Sequence, residues 1–174
     1  MSRVATRSLE ASSEGLVFLG TRRGAPGSDE TLFLEIISLR TGKIVKQKEP
    51  TELGNALFMM VDGDQAVVVS REPDKSVTVR GVALSDFLVR WTAPLGAADA
   101  TLLPPVVTRD HIVLGAFIED PKAVKYSYTA WLLDKGGRVV QNIISDKFER
   151  PPAFLGAAHD RLIISVESRV EVLR

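Results

Sequence analysis

The chain contains no cysteine, and this absence removes several kinds of chemistry at once. Without thiols there can be no disulfide framework, no thiolate nucleophile and no thiolate zinc site. The sequence also shows no zincin helix, no nucleophile elbow, no dinucleotide fingerprint and no N-glycosylation sequon. We therefore predict that the protein is not an enzyme, and we expect neither a metal nor a cofactor.

Neither sign of charge is in excess, because 22 basic residues balance 22 acidic ones. A neutral chain has no global field that attracts nucleic acid, so we expect no nucleic-acid partner. The longest apolar runs, such as residues 56–61, fall far below the roughly 20 residues that cross a bilayer, so we expect no membrane insertion. No signal peptide is visible near the N-terminus, which indicates a cytoplasmic protein if the chain is complete as given.

A short motif occurs four times, and each copy has a polar turn, a run of apolar residues and a small residue. The copies are LVFLG, AVVVS, HIVLG and RLIIS, which end at Gly20, Ser70, Gly115 and Ser165. A spacing of 45 to 50 residues is typical of one supersecondary unit that repeats and stacks on its neighbours. The leucines that end the third segment of each unit, Leu39, Leu84, Leu133 and Leu173, follow a similar period.

Turn and break signals divide each unit into short strands. In the second unit, Asp62-Gly63-Asp64 predicts a tight turn, and a charged, proline-containing break follows at residues 71–75. Four antiparallel strands in about 45 residues are the blade of a β-propeller. We predict an all-β, propeller-like fold of about four four-stranded blades, roughly residues 8–50, 53–96, 101–146 and 151–174, with the last blade incomplete. The alternative is an up-and-down β-barrel.

The turns between the third and fourth strands resemble the quinoprotein-like, PQQ-type propeller repeat. The matching segments are SLRTGKIV at 38–45, VALS at 82–85 with VRW at 89–91, and LLDKGGRVV at 132–140. The family's docking tryptophan is matched by Trp91, whereas Lys46 and Gln141 occupy that place in other units. The sequence has no calcium-binding loop of the EF-hand type, so the resemblance implies a scaffold rather than a quinone-dependent dehydrogenase.

The fourth unit ends after its third strand, which leaves the edge of its sheet unpaired in the sequence reading. Exposed sheet edges are normally paired, covered or charged, so we expect something to cover this one. Three solutions stay open: Ser2 to Thr6 supply the missing strand, two copies assemble into a larger ring, or a longer protein provides further blades.

Several residues suggest chemistry but are better explained by local structure. His159 and Asp160 are neighbours in a turn, and adjacent Glu119 and Asp120 flank a proline in a polar break. The basic, glycine-rich segment 22–28 lacks the order of a phosphate-binding loop and leads into a strand. We interpret all three as solvated turns or loops. The aromatic group Tyr126, Tyr128 and Trp131 is predicted to pack between blades.

In a propeller, the loops between second and third strands share one face with the loops that join successive blades. These loops carry charged residues of both signs, which suits protein recognition. The candidate partner-binding residues are Arg22, Arg23, Arg71, Glu72, Asp74, Lys75, Glu119, Lys122 and Lys125. We predict a non-enzymatic protein-interaction scaffold that binds a protein partner or self-associates through the open blade edge. The alternative is a quinoprotein-like domain that binds a small molecule at the ring centre.

Overall fold

A computed structural model describes residues 3–23, 29–96, 99–120, 125–148, 150–158, 161–166 and 169–173. Within these ranges the chain forms sixteen β-strands and one short 3-10 turn at Thr51–Leu53. The strands belong to two compact units, residues 1–96 and 97–174. The prediction of an all-β chain is confirmed.

The first unit holds two four-stranded antiparallel sheets, each made of consecutive strands. The first sheet contains β1 (Arg3–Ala11), β2 (Leu16–Arg23), β3 (Glu30–Ile37) and β4 (Ile44–Lys48), and the second contains β5 (Asn55–Asp62), β6 (Gln65–Arg71), β7 (Val77–Ala83) and β8 (Val89–Gly96). This is the predicted blade design, and separate sheets replace the continuous sheet of the alternative barrel.

The second unit holds a five-stranded sheet and a three-stranded sheet. The former contains β9 (Thr101–Leu102), β10 (Val106–Val107), β11 (His111–Asp120), β12 (Lys125–Asp134) and β13 (Val139–Phe148), and the latter contains β14 (Pro152–Ala158), β15 (Arg161–Val166) and β16 (Arg169–Leu173). Both β9 and β10 pair with β11. They are one blade strand divided in two, because Pro104 and Pro105 have no N–H to donate to the ladder.

Two predicted boundaries differ from the structure. We expected the first blade to begin near residue 8 and considered Ser2 to Thr6 as a strand that closes the fourth sheet. Instead, β1 starts at Arg3 and pairs with β2 of its own sheet. The break predicted at Glu119 to Lys122 also begins later, because β11 continues through Asp120.

In three of the four sheets, the small residue that ends the repeated motif lies beside a bulge in the first strand. One extra residue interrupts the pairing between Thr6 and Ser8, between Ala56 and Phe58, and between Pro152 and Phe154. The neighbouring motif residues are Gly20, Ser70 and Ser165, and in the third sheet the proline interruption lies beside Gly115. Bulges bend a strand and increase its twist, so the first, second and fourth sheets share this deformation, and an interrupted first strand takes its place in the third.

The third and fourth strands repeat a second bulge, at Val45, Arg90 and Val140 in the first three sheets. Lys46, Trp91 and Gln141 therefore occupy equivalent positions, as the sequence alignment of the units had them. The preceding turns share a left-handed residue, which is Gly42 (φ 66°), Phe87 (φ 56°) and Gly137 (φ 84°). Phe87 accepts this unfavourable conformation while its ring is buried.

The core of the first unit lies between its two sheets. Alternate residues of β2 and β3, including Val17, Leu19 and Leu34, pack against residues of the second sheet such as Met59 and Val68. Apolar side chains every second residue on facing strands bury one face of each sheet, which is the main stabilising term in such a sandwich of blades. The inner strands also meet directly, because Ser8 Oγ donates to the carbonyl of Met59 at 2.8 Å.

Candidate functional site

In the first unit, the connections at residues 49–54 and 72–76 lie at the same end of the strands as the end of β2, and we call this end the loop face. Chain direction alternates along each sheet, so the links β2–β3, β4–β5 and β6–β7 must share an end. The β4–β5 link lies against the start of the β6–β7 turn, because a methyl group on Gly54 would lie 3.4 Å from Glu72 Oε2. Residues 24–28 lie outside the described chain, so the face is defined by the other two links and by the strand ends.

A charge cluster joins the two sheets beneath the loop face. Arg80 Nη2 contacts Glu72 Oε1 at 2.7 Å, and the side chains are only 13% and 24% exposed. Lys48 Nζ donates to Glu52 Oε1 at 3.2 Å. The pKa of Glu52 lies below its usual 4.5, chiefly because of a hydrogen bond with its own backbone, with Lys48 and Arg80 adding to the shift. Glu72 thus forms an ion pair inside the unit.

The β6–β7 turn above this cluster is ordered by its own hydrogen bonds. Asp74 Oδ1 accepts from the N–H of Ser76 at 2.9 Å, and Arg71 Nη1 donates to the carbonyl of Lys75 at 3.2 Å. The hydrogen bonds from Ser76 lower the pKa of the Asp74 carboxyl below its usual 3.8. Lys75 has φ 68°, a left-handed conformation that such a turn requires. Asp74 and Lys75 are exposed, and Arg71 is half-buried.

Arg22 and Arg23 lie at the end of β2, on the same edge. The Arg22 guanidinium lies 5.0 Å from the centre of the Phe33 ring and 3.4 Å from Glu35 Oε1, whose side chain is 8% exposed. Arg23 pairs with Glu30 at 3.4 Å. Both arginines therefore have partners within the first sheet, and Arg22 covers a buried carboxylate that needs a counter-charge.

The remaining predicted residues belong to the second unit. Glu119 lies within β11, opposite Tyr126, and Lys125 begins β12. Lys122 lies outside the described residues. The structure thus brings Arg71, Glu72, Asp74 and Lys75 together on one turn, with Arg22 and Arg23 at the end of β2.

Sequence reasoning missed Lys48, Glu52 and Arg80, which complete the charge cluster. Arg80 had a signal, since it is the one charge in the apolar strand SVTVRGVAL and a buried charge needs a partner. Its partner Glu72 could not be read from the sequence, because the contact depends on how the side chains fold back over the hairpin.

The other residue that was a candidate for chemistry and that the structure describes, His111, has a structural role. His111 begins β11, and its backbone N–H and carbonyl both bond to the Thr108 hydroxyl. His159 and Asp160 lie outside the described chain. No group of three His, Asp or Glu side chains able to hold a metal ion occurs among the described residues. Nor do they form any helix with the length and apolar character to span a membrane.

The aromatic group of the third sheet is largely core. Tyr128 is fully buried and packs with Leu103, Val113 and Ala130. Burial raises the pKa of its hydroxyl, which has no hydrogen-bond partner in the described part of the chain. Tyr126 meets the ring of Phe117 edge-on at 5.8 Å.

Comparison with known proteins identifies the fold but not a family. No protein-family profile matches the chain, and no curated protein sequence matches it. Among solved structures, it resembles acylaminoacyl peptidase of Pyrococcus horikoshii, with a TM-score of 0.61, 11% identity, and coverage of 99% of this chain and 33% of that one. It also resembles a neuraminidase-like protein from A/bat/Guatemala/164/2009, with a TM-score of 0.54, 10% identity, and coverage of 92% and 47%.

A further match is the β-propeller domain of the Trilobed protease from Pyrococcus furiosus, for which an open velcro topology is described. The TM-score is 0.58 with 10% identity, and the alignment covers 98% of this chain and 57% of that one. This chain therefore spans between a third and three-fifths of the structures it matches. At such low identity the likeness concerns architecture alone, and the chain has a β-propeller-like fold.

Proposed function

We propose that the chain is a non-enzymatic protein-interaction module that binds a partner protein through the loop face. The observation that carries this proposal is the β6–β7 turn, which presents Asp74 and Lys75 to solvent while its backbone is held by hydrogen bonds. A charged loop that is ordered before binding loses little conformational entropy when a partner docks. Interspersed charges of both signs favour a partner of complementary pattern.

The charged residues of the loop face have two different roles in this proposal. Glu72, Arg22 and Arg23 have ion-pair partners in the unit, so their contribution to binding is to hold the surface in shape. Asp74 and Lys75 are the exposed charged residues of the turn, and Arg71 is half-buried. Glu119, Lys122 and Lys125 extend the proposal to the second unit as sequence-based candidates.

The similar structures support a module rather than a stand-alone catalyst. The matched propeller domain of the Trilobed protease and the matched acylaminoacyl peptidase are longer chains, of which this chain covers a part. We propose by analogy that the present chain also works as one component of a larger assembly. The peptidase activity that their names state is not transferred.

The test reverses charge on the turn and measures partner capture. We expect K75E to lose most of the protein that the wild type captures from extract of its native source, with an unchanged melting temperature, because Lys75 is exposed and the Arg71 hydrogen bond goes to its backbone carbonyl. The matched control is K43E, because Lys43 is an exposed lysine in the β3–β4 turn, at the strand ends opposite the loop face. Capture by K75E equal to that of wild type, with K43E also unchanged, would remove the loop face as the binding surface.

The PQQ-type resemblance leads to a second candidate, a domain that binds a small molecule at the ring centre. Lys46, Trp91 and Gln141 occupy equivalent positions in the register, which supports the repeat on which this resemblance rests. Calorimetry with pyrroloquinoline quinone and calcium separates the two functions. Saturable heat supports the ligand-binding domain, and its absence removes it.

A further inference from the structure

The first sheet packs one of its two faces against the second sheet. The packed face contains Val17, Leu19, Leu34 and Ile36. Successive side chains of a strand point to opposite faces, so their neighbours lie on the other face, which we call the free face. The apolar residues of the free face are Leu9, Leu16, Phe18, Ile37, Leu39 and Ile44. Leu9, Leu39 and Ile44 are 51%, 69% and 52% exposed.

The free face repeats, residue by residue, the face that the second sheet buries against the first. The strand registers align the two sets as Leu9 with Met59, Leu16 with Ala66, Phe18 with Val68, Ile37 with Val82, Leu39 with Leu84, and Ile44 with Val89. In the second sheet these residues belong to the core or pack against it. Leu84 is 1% exposed where Leu39 is 69% exposed, so the free face is a packing surface without its partner sheet.

The contact between the first two sheets shows what such a face binds. Apolar residues of the preceding sheet cover it, and lysines of that sheet reach the turn beyond it. Lys46 Nζ and Lys48 Nζ donate to the carbonyls of Leu84 at 3.0 Å and of Phe87 at 2.9 Å. The equivalent carbonyls of the first sheet are those of Leu39 and Gly42, and no described residue donates a hydrogen bond to them.

One ion pair has its signs reversed between the two faces. Arg22 and Glu35 of the first sheet occupy the positions of Glu72 and Arg80 in the second. Arg22 Nη2 lies 3.4 Å from Glu35 Oε1, and Arg80 Nη2 lies 2.7 Å from Glu72 Oε1. The two faces thus have the same apolar pattern and opposite polarity at this pair.

The polarity of the pair selects the link of the covering sheet. In the second sheet the pair lies against the β4–β5 link, because a methyl group on Gly54 would be 3.4 Å from Glu72 Oε2. In that link, the pKa of Glu52 is lowered mainly by a hydrogen bond with its own backbone and further by the charge of Arg80. On the free face Glu35 stands in place of Arg80, so a covering sheet needs a basic residue at the position of Glu52.

We infer that the free face binds the packing face of a further propeller blade, which a partner polypeptide contributes and which carries Lys or Arg at the position of Glu52. The matched propeller domain of the Trilobed protease supports this occupant, because this chain covers 57% of it and that domain is therefore longer. A copy of the first sheet is a poor occupant, since its Glu52 would meet Glu35.

This contact is separate from the β6–β7 turn, so it does not depend on the loop-face proposal. It also leaves out Lys43, the control position of that proposal. Lys43 aligns with Leu88, which stays 46% exposed although the first sheet packs on the second.

The test supplies the missing blade by tethering a copy of the first one. Residues 1–54 are added ahead of residues 5–174, so that Ala5 follows Gly54 as Asn55 does. The added copy carries E52K. Because the chain has no cysteine, thiol labelling of L39C in the original sheet reports whether the free face is covered. We expect labelling about tenfold slower, or slower still, than in the untethered chain.

The matched control for labelling is I144C, because Ile144 is exposed by the same 69% and lies in the third sheet. Its labelling rate should not change with the tether. A second tethered protein retains Glu52 in the added copy, and we expect L39C to be labelled at least about threefold faster than with E52K. T41K in the added copy controls for added positive charge, since Thr41 is an exposed turn residue.

A second measurement uses L39D and needs no thiol. In the untethered chain Leu39 is exposed, so we expect L39D to leave the melting temperature unchanged. In the tethered E52K protein the same substitution buries a carboxylate against apolar residues, and we expect the melting temperature to fall by about 3 °C or more.

Three results would overturn the inference. The first is labelling of L39C at the same rate with and without the E52K tether, since a tether supplies a high effective concentration of the blade. The second is protection by Glu52 equal to that by E52K, which removes the charge selection. The third is an untethered chain that dimerises in light scattering and becomes monomeric with L39D, which makes a second copy the occupant.

Discussion

Replacement of Gly81 by alanine tests the packing of the second sheet most sharply. Gly81 lies in the middle of β7, opposite Trp91 of β8. A methyl group at residue 81 would overlap the indole ring of Trp91, which lies directly over the glycine. The indole is also held by a hydrogen bond from its Nε1 to Gln65 Oε1 at 3.1 Å. G81A must therefore displace a ring that a hydrogen bond holds in place.

The expected cost follows from three effects. Overpacking costs about 1–3 kcal/mol, and loss of the Trp91–Gln65 hydrogen bond costs about 0.5–1.5 kcal/mol. In the other direction, Gly81 has no positive φ, so alanine restricts the unfolded chain and returns about 0.4–1 kcal/mol. We expect G81A to lower the free energy of unfolding by about 2 kcal/mol, the balance of these contributions.

A double-mutant cycle with W91A isolates the contact. In the W91A background the clash is gone, so G81A should be neutral or should stabilise by up to about 1 kcal/mol. Urea unfolding followed by circular dichroism measures all four proteins. Fluorescence alone is insufficient, because the remaining Trp131 lies in the second unit.

Two outcomes would refute this reasoning. If G81A destabilises both backgrounds equally, the glycine is required for a reason other than the indole. If G81A has no effect in the wild-type background, the indole moves away without cost and does not anchor β8.

Two further predictions concern the turns between third and fourth strands. F87A should cost about 3 kcal/mol through loss of a buried ring, and F87G should cost about 1 kcal/mol less because glycine relieves the left-handed strain at φ 56°; an F87G protein less stable than F87A in urea unfolding would contradict this ranking. Acid should also weaken the fold, because backbone hydrogen bonds hold the pKa values of Asp86 and Asp134 below their usual 3.8. The folded state then binds fewer protons than the unfolded state, so the contribution is present above 3.8 and is lost as pH falls through the lower folded pKa values. Urea midpoints measured down to about pH 2.5 should fall less in D86N/D134N than in wild type, and equal slopes would count against these carboxylates.

Much of the fold is local and could be predicted from the sequence. The motif ending at Gly20 and Ser70 repeats because, in both sheets of the first unit, the second strand faces a bulge. Turns such as 62–64 consist of residues that favour a turn by themselves. The all-β class and the four-stranded design follow from such signals. The blade boundaries are less local, as β1 shows. Its sequence RVATRSLEA shows only weak alternation of apolar and polar residues. The strand is held by pairing with β2 and by Arg7, which donates to the carbonyl of Ala56.

The candidate site divides in the same way. The charged turn at Arg71–Lys75 was visible, because proline and charge interrupt two apolar runs. The pairing of Glu72 with Arg80 was not visible, because it depends on the β6–β7 register and on the packing of the first sheet beside it. The sequence thus predicted which charged residues lie at the loop face, but it did not predict the ion pair of Glu72 with Arg80.

By itself, the amino-acid sequence determined the repeat, the strand chemistry and the turns, since hydrophobic period and backbone preference act over a few neighbouring residues. The tertiary structure alone decided which charges are neutralised. Those contacts arise between segments far apart in the chain, as when Lys48 of the first sheet donates a hydrogen bond to the Phe87 carbonyl of the second. Contacts across such distances depend on register and packing, which no short stretch of sequence contains.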